Sequence, residues 1–142
     1  MTHKHFAIVL SLLLICGISS CSKAGSQPEN TIAFTFEGRS YTSTRTTCTK
    51  NDVGSDGSVE AVIDNQSIIQ LAFSRIGKND VYRDGYLQYV TQTERFTSVT
   101  GTIHIDTWTE NVLVGDFDLV VKDQSNAIKP LTGSFIFRSL KK

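Results

Sequence analysis

The chain has 142 residues with 14 basic and 14 acidic side chains, a formal net charge of zero. That length holds one compact domain once a leader is set aside, and the balanced charge excludes nucleic acid or anionic headgroups as the main partner. Three cysteines and three histidines are available for chemistry, so their positions along the chain matter more than their number.

Residues 1–20 have the layout of an export signal. Lys4 and the free amine give a positive start, and residues 6–18 form an apolar run broken only by Ser11 and Gly17. The run falls short of the roughly 20 apolar residues a bilayer-spanning helix needs. It ends in Ile18-Ser19-Ser20-Cys21, which resembles a lipobox: a branched apolar residue, two small residues, then the cysteine whose thiol receives the lipid. Cys16 follows the bulky Ile15 and fits the pattern less well. Multiple acyl chains on one cysteine hold a protein on a membrane permanently, whereas one chain holds it marginally. The expected organisation is therefore a signal over 1–20, lipidated Cys21 with a flexible tether over 21–30, and a folded domain over 31–142. The tether carries Gly25, Ser26 and Pro28, a composition that resists order.

Cleavage before Cys21 removes Cys16, His3 and His5 and leaves 13 basic against 14 acidic residues (14 − 1 = 13 after loss of Lys4). Cys48 is then the sole unmodified thiol, so no intramolecular disulfide can form, even in an oxidising compartment. It sits in the alternating run Thr46-Thr47-Cys48-Thr49, where a small packed side chain is the expected role.

From Thr31 onward the apolar period is two and β-branched and aromatic residues dominate. Strands are predicted over residues 32–37, 40–49, 59–64, 67–75, 85–91, 101–108, 111–122 and 131–140. The fold class that follows is all-β: an antiparallel meander of about eight strands forming a small barrel or a two-sheet sandwich. Gly38 is expected to bend the first hairpin, Asp64-Asn65 to form a tight turn with positive φ, Asp84-Gly85 to turn again, and Pro130 to lie before the last strand.

A recurrence marks the last three strands: Gly101-Thr102-Ile103-His104-Ile105, Gly115-Asp116-Phe117-Asp118-Leu119 and Gly133-Ser134-Phe135-Ile136-Phe137. Alternation puts Ile103, Ile105, Phe117, Leu119, Phe135 and Phe137 on one core face, with His104, Asp116 and Asp118 on the other. The glycines are expected to allow bulges or close packing. If Ile103 and Phe117 share a face, a three-residue loop at 109–111 pairs Trp108 with Val112 and sets His104 opposite Asp116.

His104, Asp106, Asp116 and Asp118 form the most suggestive cluster, yet one histidine cannot build a multi-histidine zinc site, and a solvated sheet face accounts for them. No metal or other cofactor is expected. The segment 51–58 has spaced Asp and Gly residues, but Gly54 and Ile63 stand where a calcium loop needs ligands. No nucleophile motif such as Gly-x-Ser-x-Gly and no phosphate-binding glycine loop occurs. Catalytic residues are not expected. Tyr82, Tyr86 and Trp108, with His104 and Asp116, are the candidate contact residues for a ligand, since Tyr and Trp join apolar area to a hydrogen-bonding tip.

Taken together, Ile18-Ser19-Ser20-Cys21, the phrase Phe34-Thr35-Phe36-Glu37-Gly38-Arg39-Ser40-Tyr41, and Val114-Gly115-Asp116-Phe117-Asp118-Leu119 followed by Thr132-Gly133-Ser134-Phe135 resemble uncharacterised small β-rich lipoproteins of the Bacteroidota. The resemblance implies a β-barrel-type fold and an envelope address, and it brings no catalytic residue with it. Ser22 after the cysteine resembles the outer-membrane sorting choice. The functional expectation is a lipid-anchored, non-enzymatic binding or accessory module with a protein or glycan partner, reached through loops 50–58, 76–84 and 123–130. An envelope inhibitor or immunity lipoprotein acting on a hydrolase, and a lipocalin-like carrier of an apolar ligand, are the alternatives.

Overall fold

The computed structural model describes residues 28–50, 56–81 and 83–138. Cys21 with its signal, most of the tether, the centre of the 50–58 loop and Tyr82 lie outside the described residues. Ten strands follow one another: β1 (Thr31–Phe36), β2 (Arg39–Thr42), β3 (Arg45–Lys50), β4 (Gly57–Asp64), β5 (Ser67–Phe73), β6 (Gly77–Asp80), β7 (Gly85–Val90), β8 (Arg95–Trp108), β9 (Val112–Lys122) and β10 (Ile128–Arg138). Every strand pairing is antiparallel, in the order β2-β1-β10-β9-β8-β7-β5-β4-β3, with β6 added on β8. The protein is all-β, one sheet curled into a half-barrel.

The two ends of that sheet belong to one bent run of chain. At the corner between β2 and β3, Ser43 N donates to Ile32 O of β1 at 2.8 Å, and Thr44 N donates to Val62 O of β4 at 2.9 Å. Residues 39–50 thus bond β1 with their first half and β4 with their second. This is why the sequence reads them as a single strand. Ser43 is buried, and its Oγ accepts from Ile32 N at 2.9 Å, so the corner also pairs that buried amide of β1.

Alternation puts one continuous apolar cluster inside the curl. Ile32, Phe34 and Phe36 of β1, Ile69, Leu71 and Phe73 of β5, Phe117 and Leu119 of β9, and Phe135 and Phe137 of β10 all lie in it, as do Ile103 and Ile105 of β8. The core face predicted for the last three strands is therefore buried throughout. Inward glycines make room for the rings. Gly133 faces Phe117 across the β9–β10 pair, and a Cβ on it would lie 2.5 Å from the Phe117 ring and from Ala33 O. This is the close packing expected of a strand glycine beneath a large neighbour.

Several sequence expectations need correction. The hairpin after β4 turns on Asn65-Gln66 between Asp64 and Ser67, and neither central residue has positive φ. Asp64 instead stabilises it by accepting Gln66 N at 2.8 Å on its carboxylate. The first hairpin does use the left-handed region, at Glu37 (φ 49°) and Gly38 (φ 73°), a pair suited to a two-residue turn. Pro130 lies within β10 rather than before it. There β1 has already ended, at Phe36 opposite Leu131, so one side of β10 has no strand partner and a missing donor costs little. Strand β6 was not foreseen.

The β8–β9 hairpin sets His104 opposite Asp116, as parity required, but pairs Trp108 with Leu113 instead of Val112. A register shift between Ile105 and Thr107 leaves Asp106 as an extra residue, and Thr109 N closes the turn on Val112 O at 2.8 Å. The loop is one residue longer than expected and the bulge restores the parity. A second shift, between Ser98 and Thr100, flips alternation upstream, so Phe96 and Ser98 are buried at even positions while Ile103 and Ile105 are buried at odd ones.

Candidate functional site

The outer face of β8 and β9 gathers the charged residues singled out by the sequence. His104 is flanked across the sheet by Lys78 of β6 and Asp116 of β9. Its Nδ1 lies 3.1 Å from Asp106 Oδ1 and 3.8 Å from Asp116 Oδ2, and all three side chains are about half exposed. The Lys78 ammonium is turned to Asp80, 3.2 Å away. Asp118 stands on the same face as Asp116 but pairs across to Thr102, one row away from His104. The side-chain atoms of His104, Asp106 and Asp116 all come within 4.8 Å of one another, a spacing suited to one shared ion.

The aromatic candidates separate. Tyr86 is half exposed on the outer face of β7, whereas Trp108 is buried at 3% exposure, edge-on to Phe73 with ring centroids 5.2 Å apart. The structure does not bring Trp108 together with His104, which points to the other side of the same strand. Cys48 is partly buried against the core, the packing role expected of it.

The two ends of the sheet differ in kind. At one end β1 begins and β10 finishes: Arg138 N donates to Asn30 Oδ1 at 2.9 Å, and Arg138 Nε pairs with Glu29 at 2.8 Å. The described chain therefore enters the sheet at that end. The turns after β1, β4, β7 and β9 all open at the opposite end, because strands of a meander alternate direction. Two hollows border these turns. One, of about 320 Å³, is lined by Arg45, Val62, Asp64, Gln66, Ser67 and Ile68. The other, of about 240 Å³, lies between Thr93 and Glu94 on one hairpin and Asp123, Gln124 and Ser125 on the next. Among the predicted contact loops, 123–130 opens at this far end, whereas β6, within 76–84, lies toward the end where β1 begins, since it pairs with the second half of β8.

Lys129 seals the far end, and the sequence reading missed it. It follows the inward parity of Leu131, Gly133 and Phe135, so its side chain turns over the core instead of into solvent. Its Nζ is 5.0 Å from the Phe96 ring centroid and 5.7 Å from that of Phe36, and 2.8 Å from Glu37 Oε1. The hydrogen bond to Glu37 raises its pKa above the ordinary lysine value, against a smaller opposing effect of desolvation. Nearby, Asp123 is held below the usual carboxylate value chiefly by the Ser125 hydroxyl, with the Ser125 and Ala127 amides adding to it. Burial raises the pKa of Tyr89, whose ring packs against both Phe36 and Phe96.

Comparison with protein-family models, with curated proteins and with solved structures finds no match.

Proposed function

We propose that this chain is a lipid-anchored, non-enzymatic module of the cell envelope, held on the outer membrane through Cys21 and binding a protein or glycan partner with the end farthest from its tether. The observation that carries this reading is the polarity of the sheet: the chain enters beside Arg138, while four hairpin turns open at the other end with hollows beside them. The 11 residues of β9 separate those ends by roughly 35 Å of strand. A partner met at that distance is clear of the headgroups. The interior is occupied by aromatic and aliphatic side chains, which supports a surface binder over a vessel for an apolar ligand.

The test uses photo-crosslinking residues placed singly at Asn65, Gln124 and Glu110 of the full chain in intact cells. Asn65 and Gln124 lie at the far end, Glu110 in the turn near the tether. The reading expects discrete adducts from the first two and none from the third. Adducts from Glu110 alone, or from no position, refute it. Mass analysis of the N-terminal peptide tests the anchor separately: it should begin at Cys21 and carry acyl groups, and an unmodified or differently cleaved terminus removes that part of the proposal.

A further inference from the structure

The sequence offers no multi-histidine site, yet the fold brings three donors of different chain position to one point. Asp106 is the extra residue of the β8 bulge, and bulges re-aim side chains at the cost of one ladder pairing. Gly115, beside Asp116, lies against the carbonyl oxygen of His104, where a Cβ would collide. The consequence is two carboxylates and an imidazole with mutual distances under 4.8 Å.

From this geometry we infer that His104, Asp106 and Asp116 form a surface site for a borderline divalent cation of the zinc or nickel type. Such an ion holds N and O donors at about 2.0–2.2 Å, which puts neighbouring donors about 3.0–3.4 Å apart in tetrahedral or octahedral arrangements. The His104–Asp106 distance of 3.1 Å already fits. Asp116, at 3.8 Å, has to close by about 0.5 Å, and its half-exposed side chain is free to do so. Charge argues in the same direction. Two carboxylates converge on one imidazole nitrogen, and a divalent cation held between them cancels both of their charges. Lys78, opposite His104 on β6, is directed to Asp80. An imidazole nitrogen selects zinc, nickel and copper over the oxygen-seeking calcium and magnesium. Three protein donors leave at least one coordination position for water or for a donor from a partner.

The experiment uses the full chain carrying H3A and H5A, so that His104 is the sole histidine, in detergent, with ZnCl2 as the probe and the His104 ring resonances as the readout. The inference expects saturable movement of those resonances by zinc, none by magnesium, and affinity at least about tenfold weaker in D106N and in D116N, with circular dichroism unchanged at these exposed positions. Unmoved His104 resonances overturn it whether or not the variants fold. So do D106N and D116N chains that bind zinc as tightly as their parent.

Discussion

Asn79 gives the sharpest test of how β6 is held. Its side chain is fully buried and makes five hydrogen bonds: Oδ1 accepts from Ser74 N at 3.0 Å and Arg75 N at 3.1 Å, while Nδ2 donates to the carbonyls of Arg75 (2.9 Å), Gly77 (3.1 Å) and Ile103 (3.3 Å). Alanine leaves two backbone donors without an acceptor, each costing about 1–3 kcal/mol when buried. The 74–75 amides are only partly buried, which sets the expected loss for N79A at about 2–4 kcal/mol. For a domain of this size that is about 8–16 °C in Tm. Urea unfolding followed by fluorescence reads the change, because Trp108 is the sole tryptophan and is buried. Asn65 in the exposed β4–β5 turn is the control, and N65A should stay within about 0.5 kcal/mol of wild type. An N79A chain as stable as N65A would show that the network contributes nothing and would refute the reasoning.

Glycine walls of two kinds should behave differently. A Cβ on Gly57 would meet only side chains, Phe73 at 2.6 Å and Trp108 at 3.1 Å, so G57A should cost about 1–3 kcal/mol and F73L in the same chain should recover much of it. At Gly133 the backbone oxygen of Ala33 also stands in the way, so F117L should not rescue G133A; equal coupling in the two double-mutant cycles would contradict this. K129M keeps the apolar stem over Phe36 and Phe96 and removes the pair with Glu37. Because the folded pKa of Lys129 is raised, its contribution is complete below the unfolded value near 10.5 and is lost as pH rises through the higher folded value. Thermal scans between about pH 9 and 12 should therefore fall more steeply for wild type than for K129M, and parallel curves would exclude the pair as a stabiliser.

What the sequence reveals here follows from what periodicity can carry. Strands with an unbroken alternation, such as Ile69-Gln70-Leu71-Ala72-Phe73 or Phe117-Asp118-Leu119, declare both their existence and their inner face. Strand β6 declares neither, because Gly77-Lys78-Asn79-Asp80 turns a polar residue inward and satisfies it with hydrogen bonds in place of apolar contact. The first half of β8 is hidden by its bulge, which moves the buried positions from even to odd after Ser98. The His104–Asp116 pairing follows in the sequence from a three-residue loop, and it survives because the longer loop and the bulge at Asp106 cancel. The convergence of Asp106 on that pair was not legible, since a bulge and a one-residue-longer loop produce the same parity as the simpler hairpin.

The two ends of the core are sealed by different means, and this bears on where any activity can reside. At the far end Lys129 lies over Phe36 and Phe96 and is fastened by Glu37, so an ion pair closes the aromatic group that includes Tyr89. At the opposite end Trp108 closes the interior against Phe73 and the space left by Gly57, and its Nε1 finds no hydrogen-bond partner among the described residues. An orphaned buried donor is a real expense, tolerated where the ring's large apolar area excludes water from the core. With aromatic and aliphatic side chains between these two plugs, the inside of the sheet is committed to stability. The proposed recognition surface at the far hairpins and the inferred ion site on the outer wall lie outside that core, on two surfaces that substitutions can alter one at a time.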